Sequence, residues 1–135
     1  MSLDSARVAY PILVQIAGEL AAAARERRPT NWVSYDDFCQ RCKDVGIKET
    51  PRTVAAKLLK PLQAACIEND RPDLSALIIS KPPSRKDLGN LLRPTDAWWE
   101  AYVTRGETTV GDVGFWFERF KAARDYTDWP EAPFF

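Results

Sequence analysis

The stretch SYDDFCQRCKDVGIKETPRTVAAKLLKPLQAAC, Ser34–Cys66, decides how this chain folds. It holds two helix signatures separated by a tight turn. Ser34 can accept from the free backbone N–H groups of a first helical turn, and Asp36 and Asp37 suit the positive end of that helix. Tyr35, Phe38, Cys42 and Val45 fall on one helical face, and Gly46 is a good stop. Thr50-Pro51 then reads as an N-cap followed by proline at the first helical position, where its missing N–H costs nothing. Val54, Leu58, Leu62 and Ala65 continue at helical spacing. Pro61 should kink that helix or split it near Lys60. A short helix, a tight turn and a second helix make a helix-turn-helix.

Upstream, Ile12, Leu13, Ile16, Leu20 and Ala24 form one apolar stripe, which predicts a helix from about 8 to 27. Pro29 and Thr30 end it. Downstream, a polar turn at Asn69–Asp73 precedes Leu74–Ser80, whose branched residues predict a strand. A weaker strand is expected near Trp32-Val33. Lys81-Pro82-Pro83-Ser84-Arg85-Lys86 reads as a basic, proline-stiffened loop. Of 15 aromatic residues, 11 lie between 95 and 135, so the last third has a different character. One helix is expected after Pro94 or Thr95, carrying Trp98, Trp99, Ala101 and Tyr102. Another starts near Thr109 and places Val110, Val113, Phe117 and Phe120 on one face. The tail from Tyr126 to Phe135 reads as an extended arm lying on the domain. The expectation is a single domain over 1–135, mainly α with a small β element (α+β). It has a winged-helix-like core over 8–81 and a helical, aromatic-rich extension over 82–135.

Composition narrows the chemistry. There is no histidine, which removes Ser-His-Asp and Cys-His nucleophilic sites and His-containing zinc motifs. The six glycines are scattered and form no phosphate-binding loop. Cys39-Gln-Arg-Cys42 is a C-x-x-C pair inside an amphipathic helix; with Cys66 it supplies three ligands where structural zinc needs four. Three cysteines and a start of Met1-Ser2-Leu3-Asp4, without a secretory pattern, predict a reduced, cytoplasmic setting. No run approaches the ~20 apolar residues of a membrane helix. No cofactor, metal, catalytic residue or membrane partner is expected.

The formal net charge is zero, but residues 1–86 carry 14 Lys/Arg and 10 Asp/Glu, against 5 and 9 over 87–135. The leading reading that follows is double-stranded DNA binding. In a helix-turn-helix the second helix enters the major groove and its early residues meet the bases. Those positions are Arg52 and Thr53. Lys57 and Lys60 on later turns would meet phosphates, and Lys81, Arg85 and Lys86 would act as a wing. The alternative is a protein-binding or self-dimerising module anchored by Trp98, Trp99, Trp116, Phe134 and Phe135. Adjacent Trp98 and Trp99 cannot both face one core, and Phe115-Trp116-Phe117 covers most of a helix circumference. An enzyme would need a deep pocket lined by Asp or Glu, or an activated Cys39.

Tyr35-Asp-Asp-Phe38, Arg52-x-Val54, Leu58, Leu62-Gln63, Cys66 and Pro72-Asp-Leu-Ser-Ala-Leu-Ile-Ile-Ser-Lys81 together resemble an uncharacterised family of bacterial and mobile-element proteins. That resemblance covers roughly residues 8–81 and implies a winged-helix-like fold. Where its members carry a glycine-rich segment after the strand, this chain has Lys81–Lys86. The same stretch is more distantly similar to the DNA-binding domain of alkylguanine alkyltransferases. There an Arg-Ala-Val opens the recognition helix and its arginine intrudes into the duplex; the matching residues are Arg52-Thr53-Val54. The Pro-Cys-His-Arg motif holding that family's nucleophile is replaced by Ile79-Ser80-Lys81-Pro82, so the resemblance implies binding and not alkyl transfer.

Overall fold

The computed structural model describes residues 4–80 and 93–135, and of Pro51 and Arg52 the backbone alone. The first helix, α1, runs Asp4–Arg25 and buries Tyr10, Leu13, Ile16 and Leu20 along one stripe. It begins one turn earlier than the apolar spacing predicts, since Ala6 and Ala9 also pack inward. Strand β1, Val33–Ser34, leads into α2, Tyr35–Asp44. Ser34 is the cap: its Oγ accepts from the Asp37 N–H at 3.1 Å, and the Asp37 carboxylate accepts from the Ser34 N–H at 3.3 Å. This reciprocal box satisfies two donors that the helix start leaves free. Phe38 and Cys42 are buried as their spacing predicts, but Val45 ends the helix with its side chain 53% exposed. Gly46 has φ +90°, a left-handed conformation that glycine adopts without a Cβ clash.

After the turn, α3 (Pro51–Val54), a π turn (Ala55–Leu59) and α4 (Lys60–Glu68) follow without a break. Pro61 therefore neither splits nor simply kinks the helix. Its ring crowds the carbonyl four residues back, and it has no N–H to give. The chain answers by widening: the Lys60 N–H bonds to the Ala55 carbonyl, five residues back. Val54, Leu58 and Leu62 still reach the core across this register shift.

The predicted strand over 74–80 is shorter than expected. Leu74–Leu77 is a 3-10 turn capped by Asp73, and only β2, Ile78–Ile79, is extended. It pairs with β1 in parallel, Val33 opposite Ile78 and Ser34 opposite Ile79. The expected weak strand at Trp32-Val33 is thus present, and both strands are buried. The loop Lys81–Lys86 falls outside the described residues.

In the last third, a 3-10 turn (Asp96–Trp99) leads into α5, Glu100–Thr104. Helix α6, Val113–Asp125, starts four residues later than Thr109 because Asp112 caps it, accepting from the Phe115 N–H at 3.1 Å. One hydrophobic core runs through the chain, from Leu13 and Ile16 on α1 through Phe38, Leu58, Leu62 and Leu77 to Trp99, Trp116 and Phe120. Each such side chain, fully buried, contributes about 1.5–3 kcal/mol of transfer free energy. The architecture is mainly helical with a small two-stranded parallel sheet. Among the described residues, no helix is long and apolar enough to cross a membrane.

Candidate interaction surface

The segment from α2 through α4 carries most of the expected duplex readers, and the structure gives several of them other work. Arg52 is the second residue of α3; its side chain lies outside the described residues. Thr53 spends its hydroxyl locally. Its Oγ1 accepts from the Thr50 N–H at 3.0 Å and donates to the Glu49 carboxylate at 2.8 Å. A hydroxyl so engaged has no proton left for a base edge. Lys60 reaches the acidic C-terminal part, with its Nζ 2.7 Å from Glu100 Oε2. Lys57 is 62% exposed and stands 3.8 Å from Glu49 Oε2. Lys43 and Lys48, beside the turn, are exposed. Lys81, Arg85 and Lys86 cannot be placed on this face, since they lie outside the described residues.

The expected protein anchors fare differently. Trp98, Trp99 and Trp116 are buried within the chain itself, which corrects their assignment as surface anchors. Against the expectation that adjacent tryptophans cannot face one core, both belong to the single core of the chain, their rings edge-on at 5.4 Å. Trp99 enters the main core, donates its indole N–H to the Asp112 carbonyl at 3.2 Å, and lies under the Arg93 guanidinium. Trp98 lies in the same core, 5.1 Å from the Tyr102 ring and 6.2 Å from Phe115. Trp116 donates its indole N–H to the Ala76 carbonyl at 2.9 Å, fixing which side of α6 faces in. Phe134 and Phe135 are half-buried and pack edge-on against Tyr10. The arm they end is tied down by the Tyr10 hydroxyl donating to the Pro130 carbonyl at 2.7 Å and by Arg7 Nε donating to the Phe135 carbonyl oxygen at 2.5 Å. The predicted extended arm on the domain is therefore present.

With Trp116, Phe120 and Ala123 facing in, the predicted inner face of α6 is turned outward. Val110 is 51% exposed, Val113 41% and Phe117 37%. Only Phe120, of the four residues grouped by spacing, is buried. Val113 and Phe117 are one helical turn apart and so are neighbours on the surface. Phe117 stacks on Phe120 at 5.8 Å, and the half-buried Trp32 lies 5.2 Å from Phe120. Val113 and Phe117 form an apolar strip on α6, bordered by Lys121, whose Nζ lies 5.1 Å from the Phe117 ring and 2.9 Å from Glu118. Sequence spacing placed Phe120 on the buried side as expected and the other three on the wrong side.

The three cysteines are free and buried. Burial pushes the Cys42 thiol up to about 11 and the Cys66 thiol up to about 12. Thiols held protonated at neutral pH are poor nucleophiles. Cys39 is buried and donates its S–H to the Glu49 carbonyl. The buried Asp73 carboxylate is saturated by donors: Gln63 Nε2 at 3.1 Å, Tyr102 Oη at 2.7 Å, the Ser75 N–H at 3.0 Å and the Ser75 hydroxyl. Among the described residues, no group of three or more Cys, Asp or Glu is placed to hold a metal ion. In comparison with known proteins, no family model, curated protein or solved structure matches the chain.

Proposed function

We propose that this chain is a non-catalytic protein-binding module whose contact face is the outer side of α6. The observation that carries the proposal is the pair Val113 and Phe117, exposed among the described residues on a helix whose opposite side is buried. Large apolar groups gathered on one surface are costly to leave wet, whereas isolated ones are ordinary. The partner is a polypeptide with a matching apolar ridge. A net charge of zero offers no long-range pull toward a polyanion. Duplex binding has less support, because the Thr53 hydroxyl and the Lys60 ammonium are already engaged within the chain.

The test places a photo-reactive amino acid at position 113, with a control at Val8, which is exposed on α1. In the source cells, position 113 should yield a discrete crosslinked polypeptide and the control should not. Purified protein should also leave mixed-sequence duplex unshifted in a gel at about 50 mM salt, where phosphate contacts are strongest. Equal crosslinking at both positions, or a salt-sensitive duplex shift, would overturn the reading.

A further inference from the structure

We propose that the cavity between the π turn and the Thr95–Trp98 segment is a binding site for a flat, uncharged small molecule that donates N–H groups. The cavity has a volume of about 260 Å³. A 150 Å³ apolar cavity is known to hold benzene, so this space suits a molecule of one or two rings. Its outer wall is the widened turn. Ala55 and Ala56 leave the room that any longer side chain would fill. Trp98 forms a facing aromatic wall. Wide turns of this kind recur at functional sites in helices.

The polar groups along the cavity define the ligand's chemistry. Gln63 and Ser75 line it and are almost wholly buried. An amide nitrogen carries two hydrogens. Gln63 gives one to the Asp73 carboxylate and the other to the Trp98 carbonyl at 3.0 Å. Its oxygen is left as an acceptor. Ser75 gives its only hydroxyl proton to Asp73, which likewise leaves acceptor lone pairs. Asp73 therefore consumes these donors from behind, and Gln63 and Ser75 present acceptors to the cavity. Tyr35 and Thr95, which also line the cavity, add an opposite need: their hydroxyls share a single bond at 3.4 Å, so one of the two protons is left to donate. A lactam or aromatic carboxamide, with N–H donors beside one carbonyl, meets both requirements.

Charge decides against other ligands. Among the described lining residues there is no carboxylate, and Asp73 behind them and Glu100 at the rim are already taken by donors of the chain, so a cation would have to displace those bonds. Lys60, the single charged lining residue, is exposed and already held by Glu100 across the rim. An anion would have to displace that pair. A neutral ligand displaces nothing.

The probes are 2-quinolinone, a bicyclic lactam, and quinoline, the same ring system without the N–H. Each is titrated into the isotopically labelled full chain while the Trp98 indole resonance is followed. 2-Quinolinone should shift that resonance saturably and bind at least about tenfold more tightly than quinoline, the worth of one good hydrogen bond. Ala56→Trp, at an exposed position of the cavity wall, should weaken 2-quinolinone at least about tenfold and leave the melting temperature unchanged. Equal affinity for the two probes, no saturation up to the solubility limit, or shifts that spare Trp98 would each overturn the proposal. Because the probe comparison uses the natural chain, it stands even if Ala56→Trp fails to fold.

Discussion

Asp73 ties three separate parts of the chain together. Its carboxylate takes protons from Gln63 on α4, Tyr102 on α5 and Ser75 in the turn that it caps. Asn cannot replace it cleanly. One side-chain oxygen becomes an NH2 group, which would face donors from Gln63 and Tyr102 or from Ser75. Asp73→Asn should cost about 2–4 kcal/mol, read as a lower midpoint in urea with little change in slope, because buried donors lose their partner. The thiols give a second outcome at this scale. Burial raises the native Cys42 and Cys66 to about 11 and about 12, while an unfolded thiol ionises near ~8.5. Below that pH both states are protonated and these thiols contribute no pH dependence. Above it only the unfolded chain gains by ionising, so stability should fall as pH rises from about 8.5 toward 11–12. Burial raises the Tyr10, Tyr35 and Tyr102 hydroxyls too, which extends the fall in the same direction. Urea midpoints at pH 7, 9 and 10 measure it; a midpoint that holds constant across them would contradict the assigned burial. Cys42 is legible in the sequence because it sits on the apolar stripe of a helix. Asp73 is not: it stands in a polar turn, and its partners Gln63 and Tyr102 are 10 and 29 residues away.

Helix boundaries with local causes could be read in advance. Ser34, Asp37 and Gly46 act within four residues of themselves, and the second helix begins and ends where they say. Ser34→Ala should therefore cost about 1 kcal/mol in thermal or chemical denaturation, the ordinary worth of an N-cap. A loss below a few tenths would mean that the capping box contributes nothing. The π turn was out of reach for a different reason. Pro61 signals that α-helical bonding must fail, but a kink, a break and a widened turn all answer that failure. The choice rests on how Leu58 and Leu62 meet the core from both sides of the shift. Helix α6 was similarly ambiguous. With apolar residues at 113, 115, 116, 117 and 120, periodicity leaves two inner faces open. The Trp116 N–H selects one, because it finds the Ala76 carbonyl across the core. No spacing rule along a single helix contains that distant acceptor.

At the scale of the whole molecule, the C-terminal arm packs on α1, and the aromatic-rich third shares the core of helices α1 to α4. Such packing accounts for Trp98, Trp99 and Trp116 and leaves the α6 strip exposed among the described residues. The central claim is that this strip is a contact face. It is tested most directly by Phe117→Glu combined with the photo-reactive residue at position 113. Phe117 is more than one-third exposed, so a carboxylate there should keep the melting temperature within a few degrees, as surface substitutions usually do. The account predicts a folded protein whose crosslinked polypeptide is reduced at least about tenfold, the effect of placing a charge in an apolar contact. A folded Phe117→Glu variant that crosslinks as strongly as the natural chain would contradict it.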